Sequence, residues 1–245
     1  MFKSIVISIV LFFLYQLNSS AFIFMAGSPP SEEPPATPIH DLKLEETSGS
    51  SYVVANDGTG AGWTASVYPI NYYSTTHAEG SYSANLTGVE NIYSTDVWTS
   101  DTIDIKMWLR RQYWNDSYVW MYFFEIGDGD GNTETNEMWF VAHNTDAAIC
   151  IVYQAAGGQR ERCTQDMGLT DNTWYAFHLT MDCAQSGWDT FLEYGTTESY
   201  GSTATWNAWS TTPENPTFSS VVRLGDPNAF NEPINYIDHF RMDDE

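Results

Sequence analysis

Thr102-Ile-Asp-Ile-Lys-Met-Trp-Leu109 sets Ile103, Ile105, Met107 and Leu109 against Asp104, Lys106 and Trp108 in strict alternation. Successive side chains of an extended chain point to opposite faces, so this period of two predicts a strand with one face buried. Downstream, Tyr118 to Ile126 (YVWMYFFEI) is apolar on both faces, which predicts a strand in the middle of a sheet that is covered on both sides. A polar turn, Gly127 to Asn136, follows it. The series continues through Glu137–His143, Ala147–Tyr153, Thr173–Asp182, Trp188–Tyr194, Ser219–Leu224 and Asn235–Met242, with Gly, Asn, Asp and Pro clusters between the runs. Beyond the N-terminal region no apolar run of period 3.6 is long enough for a helix. The pattern predicts an all-β, antiparallel sandwich or barrel.

Upstream the composition changes. Lys3 precedes an unbroken apolar run from Ile5 to Leu14, and Ser19-Ser20-Ala21 offers the small-x-small pattern that signal peptidase cuts. Residues 1–21 therefore read as an export signal, with Phe22 to Met25 leaving open an uncleaved anchor. Residues 22–38 contain AGSPPSEEPPATP, a proline-rich spacer with almost nothing able to pack. A single domain is expected over 39–245, and the protein is expected to be secreted or held at the extracellular surface.

Thirty-two acidic residues against nine basic give a formal charge of −23. Removal of the signal with Lys3 makes it −24, eight basic minus thirty-two acidic. Nucleic acid and anionic membranes are bound through Lys and Arg that neutralise phosphates, so this charge argues against both partners.

Three cysteines lie in the exported part, where disulfides persist. Cys150 and Cys163 flank Gln154-Ala-Ala-Gly-Gly-Gln159, which reads as a hairpin turn. A loop centred between Ala156 and Gly157 sets the two cysteines opposite each other and predicts a cross-strand disulfide at a non-hydrogen-bonded pair. Cys183 is in phase with Tyr175, Phe177, Leu179 and Met181, so it is expected to be a buried free thiol.

The order of motifs resembles a laminin G-like domain of the concanavalin A-like lectin/glucanase superfamily. The likeness covers about residues 39 to 245: an opening DLKLEETSGSS, the loop Asn56-Asp-Gly-Thr59, Gly80-Ser-Tyr-Ser-Ala-Asn-Leu-Thr-Gly88, the strand IDIKMWLR, FFEIGDGDGN, Asp171-Asn-Thr-Trp-Tyr175 and a closing Tyr236-Ile-Asp-His-Phe-Arg-Met242. The resemblance implies a jelly-roll-like sandwich of two curved antiparallel sheets, each of six or seven strands. It does not fix function, since the superfamily holds lectins, adhesion modules, structural proteins and glycoside hydrolases.

The hydrolase branch sets two glutamates and an aspartate on one face of a strand, because a retaining glycosidase needs two carboxyls about 5 to 5.5 Å apart. The nearest candidate, Glu125-Ile-Gly-Asp128, has Gly127 where the aspartate belongs, so no catalytic residues are assigned. Asp128-Gly-Asp130-Gly-Asn132 carries oxygen ligands at alternate positions, as calcium requires, although a plain Asp/Gly/Asn turn has the same composition. By resemblance, Asn56, Asp57 and Asp238 are secondary calcium candidates.

The segment Arg110-Arg-Gln-Tyr-Trp-Asn-Asp-Ser-Tyr118 joins two strands and sets Tyr113 and Trp114 beside two arginines. Sugar rings stack on aromatic faces while polar side chains orient their hydroxyls, so Arg111, Tyr113 and Trp114 are the first candidate glycan site. Trp206 and Trp209, in TWNAWSTTPENP, are a second set; for each ring, packing inside the protein is the competing role. The expected function is a lectin-like carbohydrate-binding or adhesion module, with calcium as a candidate cofactor and a glycan or cell-surface polysaccharide as partner. A structural virion or cell-surface protein making contacts with other proteins is the alternative, and a glycan-degrading enzyme the third.

Overall fold

The computed structural model describes residues 39–45, 49–51, 53–65, 70–86, 91–114, 120–127, 135–143, 147–225 and 235–244, all within the unit Thr37–Glu245. The export signal and spacer expected over 1–38 lie outside the described residues. In chain order the strands are β1 (His40–Leu42), β2 (Gly49–Ser51), β3 (Val53–Val54), β4 (Trp63–Ala65), β5 (Ile70–Tyr73), β6 (Ser83–Asn85), β7 (Ile92–Trp98), β8 (Thr102–Arg111) and β9 (Trp120–Ile126). They continue as β10 (Glu137–His143), β11 (Ala148–Ala155), β12 (Gly158–Cys163), β13 (Trp174–Asp182), β14 (Asp189–Gly195), β15 (Ser202–Thr203), β16 (Ser220–Leu224) and β17 (Asn235–Asp243).

Two antiparallel sheets result. The first runs β15-β14-β13-β8-β17-β6-β5-β2, with β1 also paired to β17; the second runs β12-β11-β10-β9-β16-β7-β4-β3. These are nine and eight strands, more than the six or seven per sheet the resemblance implied, because short segments such as β1, β3 and β15 extend the sheets. β9 sits inside its sheet between β10 and β16, where its two-faced apolar sequence places it.

The alternation in β8 is the register of the core. Ile103, Ile105, Met107 and Leu109 point inward with Tyr175, Phe177, Leu179 and Met181 of the neighbouring β13. Contact between the sheets is aromatic: Phe240 of β17 lies 6.1 Å from Phe124 of β9 and 5.7 Å from Trp63 of β4, centroid to centroid. Such ring pairs add to the area they bury, which makes them strong cross-sheet contacts. Cys183 belongs to this core as a buried free thiol, and burial pushes its pKa far up, so it is held neutral and unreactive.

Cys150 and Cys163 are register partners on β11 and β12 and form a disulfide, with Cα atoms 4.0 Å apart. The pair packs on the outer side of the eight-stranded sheet with Trp139, Val141 and Val152. At the same side of the sandwich, residues 204–210 tie the sheets together. Ala204 N–H donates to Leu192 of β14, while Asn207 N–H and Ser210 N–H donate to Cys163 and Glu161 of β12.

β17 carries the one irregularity that matters for the surface. Asp238 pairs with Trp108 and Arg241 with Lys106, so β17 uses three steps where β8 uses two. The extra residue is a bulge, which re-aims side chains. His239 sits in it with φ of 44°, left-handed backbone, while Phe240 still reaches the core.

Candidate glycan-binding surface

β8 does not stop at Leu109. It continues to Arg111, and the alternation carries Arg111 to the inner face and Arg110 to the outer one. Arg111 is fully buried, with its guanidinium carbon 5.3 Å from the Trp114 ring and 5.8 Å from Phe123. Trp114 is also fully buried, about 6 Å from the rings of Phe123, Tyr175 and Phe177, and its backbone N–H donates to Asp171 Oδ1 at 2.7 Å. The expectation that Arg111 and Trp114 form a sugar site is therefore corrected: both are core residues. Tyr113 stays outside, 46% exposed.

What the outer face gathers at this end of the nine-stranded sheet is a different set of rings. Tyr236 of β17 meets Tyr73 of β5 edge-on at 5.8 Å and Trp174 of β13 at 6.4 Å. Arg110 lies over Tyr236, guanidinium carbon 5.3 Å from the ring centre. Trp174 and Tyr236 are half-buried and Tyr73 is 38% exposed, so the rings are supported from below and open above.

The polar groups beside them are held in place. Asn172, in left-handed backbone at φ 56°, accepts from Arg110 through its carbonyl at 2.9 Å and its Oδ1 at 3.3 Å. Its Nδ2 donates to the Gln112 carbonyl, and Gln112 Nε2 reaches the Tyr113 hydroxyl at 3.2 Å. Arg110 forms no ion pair with a described carboxylate. An aromatic platform with a fixed guanidinium and amides at its border can stack the apolar face of a sugar and hydrogen-bond its hydroxyls.

The rest of this outer face concentrates charge. Glu193, His178, Lys106, Arg241 and Asp41 are successive register partners across β14, β13, β8, β17 and β1. His178 Nε2 is 3.1 Å from Asp104. Lys106, Arg110 and Arg241 bring three of the chain's nine basic residues to this face, where Asp41, Asp104 and Glu193 stand among them. Asp238, fully buried, accepts the N–H groups of Ala78 and Glu79 at 2.7 and 2.9 Å. Burial still pushes its carboxyl up to about 6.

The remaining candidates fall elsewhere. Trp206 and Trp209 are half-buried and pack on the core from the segment that joins the sheets. Arg162 covers Trp206 at 5.6 Å, and the Trp209 indole N–H donates to the Gly187 carbonyl at 2.8 Å. They brace that segment and lie apart from the platform. Asp128, Asp130 and Asn132 lie outside the described residues. Asn56 is a turn latch: Oδ1 accepts from Asp41 and Gly58, and Nδ2 donates to the carbonyls of Gly60 and Ala61. Asp57 pairs with Lys43 at 2.6 Å. Glu125 is buried, 3.8 Å from Arg223, where a substrate has no access to it.

No family model matches this chain, and no curated protein matches it. Solved structures do. The botulinum neurotoxin serotype D binding domain superposes with a TM-score of 0.59 at 10% identity, covering 85% of this chain and 48% of that one. The likeness is one of fold. The serotype D ligand binding domain in complex with N-acetylneuraminic acid gives 0.54 at 10% identity, again over 85% of this chain and 48% of that one. A third structure, described by the dependence of botulinum neurotoxin type C cell entry on interaction with two ganglioside molecules, gives 0.57 at 11% identity with the same coverage. This chain thus spans about half the length of each, 48%.

Proposed function

We propose that this chain is a secreted, lectin-like carbohydrate-binding module that recognises a glycan on the outer face of the nine-stranded sheet. The observation that carries this reading is the platform of Tyr73, Tyr236 and Trp174, with Arg110 above Tyr236 and Asn172 bonded to it. Stacking supplies affinity because the apolar face of a sugar displaces water from the rings. Each hydroxyl hydrogen bond largely replaces one to water and yields only about 0.5–1.5 kcal/mol net. Arg110, without an ionic partner among the described residues, suits a glycan bearing a single carboxylate. The sandwich shared with domains described with N-acetylneuraminic acid and with gangliosides agrees with this assignment, as does the laminin G-like order of motifs. We read the function as recognition: Glu125, the nearest match to a glycosidase carboxylate, is buried against Arg223.

A glycan array with neutral and acidic sugars tests the reading, with the Trp174→Ala variant beside the wild type. Selective binding that the variant loses supports it. A chain that binds no sugar, or a variant that binds as well as wild type, moves this surface to contacts with proteins.

Calcium at Asp128, Asp130 and Asn132 remains part of the proposal. An ion that binds only the folded chain raises its Tm by mass action. Calcium at millimolar concentration, against EGTA, is expected to do so; an unchanged Tm makes Gly127 to Asn136 a plain turn.

A further inference from the structure

We propose that Glu79, Glu198 and His239 form a site for a divalent transition cation of the zinc type, with Asp41 as the positioning residue behind the imidazole. One nitrogen of His239 and one carboxylate oxygen each from Glu79 and Glu198 all lie within 4.8 Å of one another. One imidazole and two carboxylates is a donor set that suits zinc. Calcium and magnesium prefer oxygen alone, so the imidazole selects against them.

The bulge in β17 makes the site. It turns His239 out of the strand alternation, and the ring reaches Asp41 on β1 from one side and Glu79, N-terminal to β6, from the other. His239 Nε2 is 3.0 Å from Asp41 Oδ1, and Nδ1 is 2.6 Å from Glu79 Oε2. A carboxylate on one ring nitrogen fixes the tautomer and ring orientation and directs the other nitrogen to a metal. Asp41 is itself held by Arg241, Nε to Oδ1 3.4 Å. Glu198 comes from the segment between β14 and β15 and lies against Glu79, which brings a second carboxylate to the same cluster.

A second observation points the same way. Asp238, next to His239 and fully buried, spends Oδ2 on the N–H groups of Ala78 and Glu79, and Oδ1 has no hydrogen-bond partner among the described residues. A buried carboxylate oxygen without a donor is costly unless positive charge lies near it. Trp108 and Tyr200 wall the small cleft beside His239 and limit water there.

The test is calorimetric titration of the full chain with zinc, together with elemental analysis after gel filtration. One zinc per chain is expected, retained in millimolar calcium. Glu198→Gln changes an exposed side chain, so it is expected to fold as wild type while weakening zinc by about tenfold or more. Asp41→Asn, which removes only the positioning carboxylate, is expected to cost about tenfold. X-ray absorption of the zinc-loaded chain should show an imidazole ligand with oxygen neighbours. Absence of binding at micromolar zinc, or binding that Glu198→Gln leaves unchanged, overturns the proposal and makes Asp41–His239–Glu79 an ion-pair relay. The glycan reading stands or falls separately, on Trp174.

Discussion

Arg110 and Arg111 are consecutive, and each sets its guanidinium carbon 5.3 Å from an aromatic ring, Tyr236 for one and Trp114 for the other. Arg111 and Trp114 are sealed between the sheets; Arg110 and Tyr236 are open to solvent on one side. The same pairing of cation and ring is a strut in one place and part of an open surface in the other. What separates them is one residue of strand phase, because the side-chain period of a sheet is two. Composition of a segment therefore says little about a sugar site until the parity of its strand is known.

The largest effect should come from the inner member of the pair. Trp114→Ala removes a fully buried indole and is expected to cost about 3–5 kcal/mol in urea unfolding. A variant within about 1 kcal/mol of wild type would place the ring outside the core and break the comparison.

His40 sharpens it from the same inner side. Its Nδ1 accepts the Trp63 indole N–H at 3.1 Å, so the ring is neutral there, and burial holds its pKa down at about 4 despite the carboxylate of Asp96. In the unfolded chain it takes a proton near pH 6.5. The stability it contributes is complete above pH 6.5 and is lost as pH falls toward 4, on the order of 3 kcal/mol. Urea unfolding from pH 7.5 to 4.5 should show this loss, and His40→Asn should flatten the curve by about one proton. Parallel curves for the two chains would remove His40 as the cause.

On the outer side the order of effects reverses. Trp174→Ala is expected to weaken glycan binding about tenfold, roughly 1.4 kcal/mol, while leaving stability within about 1 kcal/mol of wild type. Titration of an identified glycan, with a thermal melt, checks both. The smallest change belongs to Gln112→Ala, a few-fold in affinity, since a single hydrogen bond exchanged with water is worth about 1 kcal/mol. If Gln112→Ala outweighs Trp174→Ala, binding rests on polar contacts and the platform is incidental.

The fold was legible because burial imposes phase on a strand. Ile103 to Leu109 and Tyr175 to Met181 announce their inner faces, and Cys183 continues the second of them. The disulfide was legible because a hairpin's centre sets which residues oppose each other, here Cys150 and Cys163. The platform was missed because the segment after Leu109 reads as a loop by its polar residues. Extending the alternation by two would have sent Arg111 inward. The rings that do form the platform, Trp174 and Tyr236, stand out of phase with Tyr175 and Ile237, a usable signal that composition hides. The His239 cluster had no such signal, because a bulge breaks the period and brings together residues about 160 and 200 positions apart.

The segment from Ala204 to Ser210 bears on how these molecules behave when crowded. It occupies the outward hydrogen-bonding groups of β12 at Glu161 and Cys163, the groups that an incoming strand from another copy would need. A sheet whose border is already spoken for cannot template continuous strand addition, the route by which exposed edges polymerise. Along that border, copies displayed densely on a surface have no rail on which to zip into fibrils. They stay separate there, each with the outer face of its nine-stranded sheet left free.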